Sequence, residues 1–229
     1  HEVYGFLDPM KGGAYSEYLI ADPANISLKP EKFSFEQAAT MPVAALTALQ
    51  ALNYLGNVKD GTSVLINGAT GGVGSFGVQL AKALGAEVTG VCSEKNKKLC
   101  KELGADRVYD YSGDELKESG GKFDVFFDAA AKSTFSRGKK HLNSGGIYIT
   151  TIPGAGVILN RLLNILPIKK KAKFIMVKSS GIDLTILTGF AMTNMMKPVI
   201  ENSFGFKDIA DAHRLAESSE FRGKIVVKI

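Results

Sequence analysis

Short apolar runs alternate with helix-spaced apolar positions between residues 63 and 151. Ser63-Val64-Leu65-Ile66 reads as a buried strand over 63–67. Val73, Phe76, Gly77, Leu80, Ala81 and Leu84 then recur at helical spacing over 72–84. Gly85 closes that helix, and a strand is expected over 87–92. A helix over 94–103 stops at Gly104, and Arg107-Val108-Tyr109 begins the next strand. Residues 123–128 and 146–151 read as two further buried strands. Parallel strands joined by helical crossovers need right-handed connections and bury both faces of their sheet under helices. The pattern therefore predicts an α/β fold with a doubly wound parallel (Rossmann) sheet.

The rhythm differs on either side. Gly13-Ala14-Tyr15-Ser16-Glu17-Tyr18-Leu19-Ile20 is aromatic and partly alternating, so residues 13–30 read as strand material broken by a turn at Asp22-Pro23-Ala24-Asn25. Ser34 is placed to cap a helix whose first turn holds Glu36 and Gln37. Pro42 interrupts the pattern, and a second helix is expected over 44–55, ending at Gly56. Beyond Pro153 an apolar stretch, 157–166, leads into a basic cluster of Lys169, Lys170, Lys171 and Lys173. A strand over 174–177, helices over 183–196 and 207–217, and a closing strand over 224–229 complete the reading.

Composition narrows the function classes. Across 229 residues, 45% hydrophobic and 22% charged, the chain has the make-up of an ordinary globular protein. Its net charge of +5 suits an anionic, phosphate-bearing ligand without requiring one. Tryptophan is absent and no RNA-reading motif occurs, so nucleic acid is not expected as a partner. Cys92 and Cys100 are not spaced for a disulfide framework or a zinc knuckle. No apolar run reaches the ~18–20 residues needed to span a bilayer. The chain begins with His1, which reads as a fragment or processed form and leaves the compartment open.

The chemistry concentrates in Asn67-Gly68-Ala69-Thr70-Gly71-Gly72-Val73-Gly74. A glycine-rich turn between a buried strand and a helix lets backbone N–H groups close on a pyrophosphate at the helix N-terminus. Ala69, Thr70, Gly71, Gly72, Val73 and Gly74 are the candidate contacts. An Asp or Glu at the end of the second strand would accept hydrogen bonds from a ribose 2′-OH. That place falls at Cys92, followed by Ser93, which can donate to a 2′-phosphate, while Lys97 and Lys98 lie one turn on. Read alone, Ser93 is equally an N-cap, the lysines a solvated face, and Glu94 a charge opposing phosphate. The loops after Phe127 (Asp128, Ala129, Ala130) and Thr150 (Thr151, Ile152, Pro153) leave the carboxyl ends of strands, the edge that holds ligands in such folds. His1, His141 and His213 carry no catalytic pattern.

Six landmarks in order are Gly13-Ala14-Tyr15-Ser16-Glu17-Tyr18, the run from Pro42 through Thr47 to Leu52, the glycine loop from Ala69 to Gly74, Gln79-Leu80-Ala81-Lys82, Leu103-Gly104-Ala105-Asp106 and Arg222-Gly223-Lys224-Ile225-Val226. On these, the chain resembles the zinc-independent quinone oxidoreductases, the zeta-crystallin-like group of the medium-chain dehydrogenase/reductase superfamily. The resemblance implies the end of a GroES-like substrate domain over 1–41, a dinucleotide-binding domain over 42–180 and a return segment over 181–229. It implies NADPH as cofactor, with Lys97 and Tyr111 matching 2′-phosphate contacts and Thr47 on the nicotinamide side. Ala129 and Ile152 lie in the loops expected to border the cofactor. Hydride would pass to a quinone or to the C=C of an α,β-unsaturated carbonyl, with no residue nominated as an obligatory acid. Zinc is not expected, because the 6–12 link has no cysteine and Val43 stands where zinc-binding relatives place one. A homodimer is implied. The 157–173 stretch is open to three readings: an acceptor lid, a subunit contact or a contact with an anionic membrane surface. Two other functions fit the same residues, a 2-enoyl thioester reductase and an NADPH-binding protein with a sensing, crystallin-like or membrane-associated role.

Overall fold

In the computed structural model, which describes residues 1–7, 13–113, 116, 120–162, 170–218 and 221–229, Val3–Gly5 (β1) pairs antiparallel with Ile26–Leu28 (β2). Among the described residues this is the only ladder near the start. Residues 13–20 are irregular rather than a strand, and Tyr18 and Ile20 lie open to solvent. An extended segment with no neighbour for its backbone groups gains nothing from strand geometry. Ser34 caps Phe35–Ala39 (α1) in a full capping box with Gln37. Met41–Leu49 (α2) starts three residues earlier than its pattern suggested. Pro42 falls in its first turn, where a missing N–H costs nothing. The helix then widens into a π segment, Gln50–Leu55.

Six parallel strands follow: Ser63–Asn67 (β3), Glu87–Cys92 (β4), Arg107–Asp110 (β5), Phe123–Asp128 (β6), Leu142–Thr150 (β7) and Lys171–Phe174 (β8). Their order is β5-β4-β3-β6-β7-β8, so the chain leaves β3 in one direction and returns past it to β6. That reversal is the crevice where such sheets take ligands. Gly72–Ala83 (α3) and, after the short turn Glu94–Asn96, Lys97–Glu102 (α4) supply the first crossovers. Leu65, Ile66, Phe127 and Ile149 are fully buried in the central strands, which accounts for their near-continuous apolar runs.

The strand expected over 174–177 instead occupies Lys171–Phe174, so half of the lysine cluster is an edge strand. Ala172 turns inward and is buried, while Lys171 is exposed. Lysines on an edge hinder pairing with a stray strand. The helix Ala155–Leu162 packs beside it, and Asn160 Oδ1 accepts the Ala172 N–H at 2.7 Å. The rest of the 157–166 stretch and Lys169 lie outside the described residues, as do positions 8–12 of the 6–12 link.

The chain divides into two compact units, one of His1–Leu46 with Val177–Ile229 and the other of Thr47–Met176. In the first unit, the helix Gly181–Met192 ends four residues before the expected boundary, and Ile200–Gly205 (β9) pairs parallel with Lys224–Lys228 (β10). The Tyr4 hydroxyl donates to Leu184 O at 2.7 Å and lies 3.0 Å from Thr188 Oγ1, joining β1 to that helix. Burial pushes the Tyr4 phenol up to about 12. Among the described residues no helix is long and apolar enough to cross a membrane.

Candidate functional site

β3 ends at Asn67, and the chain turns sharply through Gly68 at φ +79°, a conformation that favours glycine. The N–H groups of Gly68 and Ala69 both donate to Val91 O, at 2.9 and 3.0 Å, which pins the turn to β4. Gly71 N–H returns to Gly68 O at 3.0 Å. A Cβ on Gly74 would lie 2.0 Å from Gly68 O, so only glycine lets α3 approach the strand this closely. Gly71 is the N-cap of α3 and has no side chain to satisfy the first turn. The N–H groups of Gly72, Val73 and Gly74 therefore point from a helix start without carbonyl partners four residues back, which is the geometry that receives a phosphate. Ala69 and Thr70 are buried, and the Ala69 methyl packs toward Gly90 of β4. These two shape the turn, and Gly71 to Gly74 present it.

A second group gathers where β4 and β5 end, with Cys92 in register with Asp110. Ser93 caps the short turn Glu94–Asn96 without a side-chain cap bond. Lys97 Nζ lies 2.7 Å from Glu94 Oε2. Tyr111 donates its N–H to Cys92 O at 3.1 Å and exposes its ring. The structure thus brings Ser93, Lys97 and Tyr111 to one strand edge. It also brings two carboxylates there. Asp110 accepts from the side chain and backbone N–H of Ser112, and these bonds hold its carboxyl below the usual range. Beneath them, the Cys100 thiol donates to Cys92; that bond and burial push Cys100 up, and the same bond holds Cys92 down. A Cβ on Gly90 would lie 2.3 Å from Cys100 Sγ.

The third group is the loop after β6. Ala129 and Ala130 N–H donate to Asn67 O at 3.1 and 3.2 Å, and a Cβ on Gly68 would meet Ala130 Cβ at 2.6 Å. The glycine loop and the β6 loop are therefore in contact. After β7, Ile152 donates its N–H to Thr150 Oγ1 at 3.3 Å and exposes its side chain. Thr47 is buried on α2, and the π segment beyond it packs against α3. Sequence reasoning did not single out Gly68, Asp110 or the role of Asp128. A polar residue closing an apolar strand run was the available signal.

A dinucleotide fits these residues, since the close approach at Gly74 and the uncapped start of α3 form a cradle for its pyrophosphate. Among the described residues no three His, Cys, Asp or Glu side chains are grouped to hold a metal, and Val43 offers only hydrocarbon.

Residues 103–227 match the family model described as zinc-binding dehydrogenase. The chain is 33% identical to the mouse mitochondrial NAD(P)H oxidoreductase RTN4IP1 over its whole length, and spans 64% of that protein. It is 31% identical to a chloroplast envelope quinone oxidoreductase homologue of Arabidopsis thaliana, with 99% of this chain and 72% of the relative aligned. Among solved structures, the quinone oxidoreductase of Coxiella burnetii superposes with a TM-score of 0.80 at 32% identity, covering 91% of this chain and 65% of the other.

Proposed function

The chain belongs to the zinc-binding dehydrogenase family of the medium-chain dehydrogenase/reductase superfamily, and from that premise we propose that it is part of an NADPH-dependent oxidoreductase. Its acceptor is a quinone or the C=C of an α,β-unsaturated carbonyl. The observation that carries this reading is the uncapped start of α3 beside the group formed by Ser93, Lys97 and Tyr111. The relatives named NAD(P)H and quinone oxidoreductases support the same chemistry.

In this account the N–H groups of Gly72, Val73 and Gly74 hold the pyrophosphate, and Ser93, Lys97 and Tyr111 receive the 2′-phosphate. Thr47 lies on the nicotinamide side, and Ala129 and Ile152 border the cofactor from the loops after β6 and β7. Bound NADPH supplies the hydride, and the protein fixes its distance and face. The reaction proceeds without zinc, so charge developing on the acceptor oxygen is met by hydrogen bonds or water. Segments 1–41 and 181–229 belong to a GroES-like substrate domain, with 42–180 as the cofactor domain. The protein acts as a homodimer, with the sheet-edge strand β8, Lys171–Phe174, in place of the expected 174–177, at the shared edge.

A second reading has one observation in its favour. Glu94 and Asp110 crowd the 2′-phosphate position with negative charge, which favours use of NADH as well. Cofactor oxidation by the full chain, followed at 340 nm with a benzoquinone and with a short alkenal, tests both readings. Faster turnover with NADPH than with NADH supports the first. Equal rates support the second, and binding without turnover of either acceptor removes the enzyme reading.

A further inference from the structure

We propose that Asp128 is a positioning residue for the cofactor. Its carboxylate ties the glycine loop after β3 to the loop after β6, so that both keep one shape around a bound dinucleotide. The inference rests on the reading of the glycine loop as a cofactor cradle.

Asp128 closes β6 and stands in register with Asn67 on β3 and Thr150 on β7. It is fully buried. A carboxylate in such a place is costly unless hydrogen bonds replace the water it has lost. Four neutral donors do so. Oδ1 accepts from Asn67 Nδ2 at 2.8 Å and from Lys132 N–H at 3.3 Å. Oδ2 accepts from Ser133 N–H at 2.8 Å and from the Tyr148 hydroxyl at 2.8 Å. Burial and the Asp128 charge push the Tyr148 phenol up, so it stays a donor.

The placement of the donors separates this role from ordinary packing. Asn67 immediately precedes Gly68, so its side chain sets the direction in which the glycine loop leaves β3. Lys132 and Ser133 close the loop that Ala129 opens, and Ala131 within it holds a left-handed φ of +52°. Asn67 grips that loop a second time, because its carbonyl accepts from Ala129 and Ala130. Gly68 leaves the space that the Ala130 methyl fills. One carboxylate, itself fully buried, thus holds the two loops that meet at the cradle. An amide cannot replace it. The NH2 of asparagine would face donor-only groups on either side, Asn67 Nδ2 and Lys132 N–H on one or Ser133 N–H on the other. On that second side the Tyr148 hydroxyl could turn to accept, so at least one of the four bonds would be lost.

The test uses the full chain with Asp128→Asn, Asn67→Ala and the double variant, followed by NADPH fluorescence titration and steady-state kinetics below each variant's unfolding transition. Each single change is expected to raise the NADPH Kd and KM about tenfold, the loss of hydrogen bonds to a charged group. At saturating NADPH, kcat is expected to change less than about twofold. The double variant binds no worse than the weaker single, because the two residues act as one unit. A folded Asp128→Asn chain with wild-type NADPH affinity overturns the proposal, and so do effects that multiply in the double variant. If Asp128→Asn does not fold, Asn67→Ala decides: unchanged affinity overturns the proposal and weakened affinity supports it. A wild-type chain that binds neither NADPH nor NADH overturns the cradle reading and this proposal together. Wild-type binding with unaffected variants overturns this proposal alone.

Discussion

At the scale of single residues, the cradle depends on the side chains it excludes as much as on those it presents. Gly74→Ala places a methyl 2.0 Å from Gly68 O, backbone that cannot move aside, so NADPH fluorescence enhancement is expected to disappear. Lys97 is held by Glu94 at 2.7 Å, and a 2′-phosphate would compete for the same ammonium. Lys97→Ala is expected to raise the NADPH KM about tenfold while leaving the NADH KM nearly unchanged. Glu94→Gln acts in the opposite direction: it frees the cation, lowers the NADPH KM and widens the preference over NADH. Cofactor KM values for the two variants measure both effects. An NADPH KM untouched by Lys97→Ala would remove that lysine from the phosphate pocket. The glycine turn could be read because its spacing is local, and the same count places Lys97 at the start of α4. Asp128 could not, since its Asn67 partner is 61 positions away and only the folded sheet brings them together.

At the scale of elements, carboxylates stitch the sheet to its crossovers. Asp106 receives the Val88 N–H and Lys82 Nζ, joining β4 and α3 to the start of β5. Burial raises its pKa, but these two donors outweigh burial and leave it low; Asp124, bound by Ser63 and Asn143, balances out the same way. A carboxyl held low in the folded chain stabilises it fully above the unfolded value of about 4 and loses that contribution as pH falls through the lowered folded value. Urea unfolding followed from neutral to acid pH should therefore show stability falling below that point, with a shallower fall in Asp106→Asn. Asn160 works at the sheet edge, where Asn160→Ala leaves the Ala172 N–H without its partner and is expected to cost about 1–3 kcal/mol by urea titration. The strands β3, β4 and β6 were readable because buried parallel strands carry near-continuous apolar runs, broken here at Thr89 and Asp124 among the inner positions of β4 and β6. The 13–20 segment misled because its alternation suits a strand but no strand among the described residues pairs with it, and β8 was displaced because edge lysines resemble a turn.

At the scale of the whole molecule, the first unit holds two two-stranded sheets and the second the six-stranded one, and the chain spans 64% of the mouse relative. The order of landmarks along the chain made the family legible. The charge at the strand edge was harder to read, because Asp110 of the neighbouring strand stands beside Cys92 only through the register of the sheet. The central claim is that this chain builds an NADPH cradle from the α3 start and the β4 edge. Calorimetric titration of the full chain with NADPH and with NADH tests it most directly. One NADPH per chain is expected, bound about tenfold more tightly than NADH through its 2′-phosphate. Absence of binding by either nucleotide, or equal affinity for both, would contradict it.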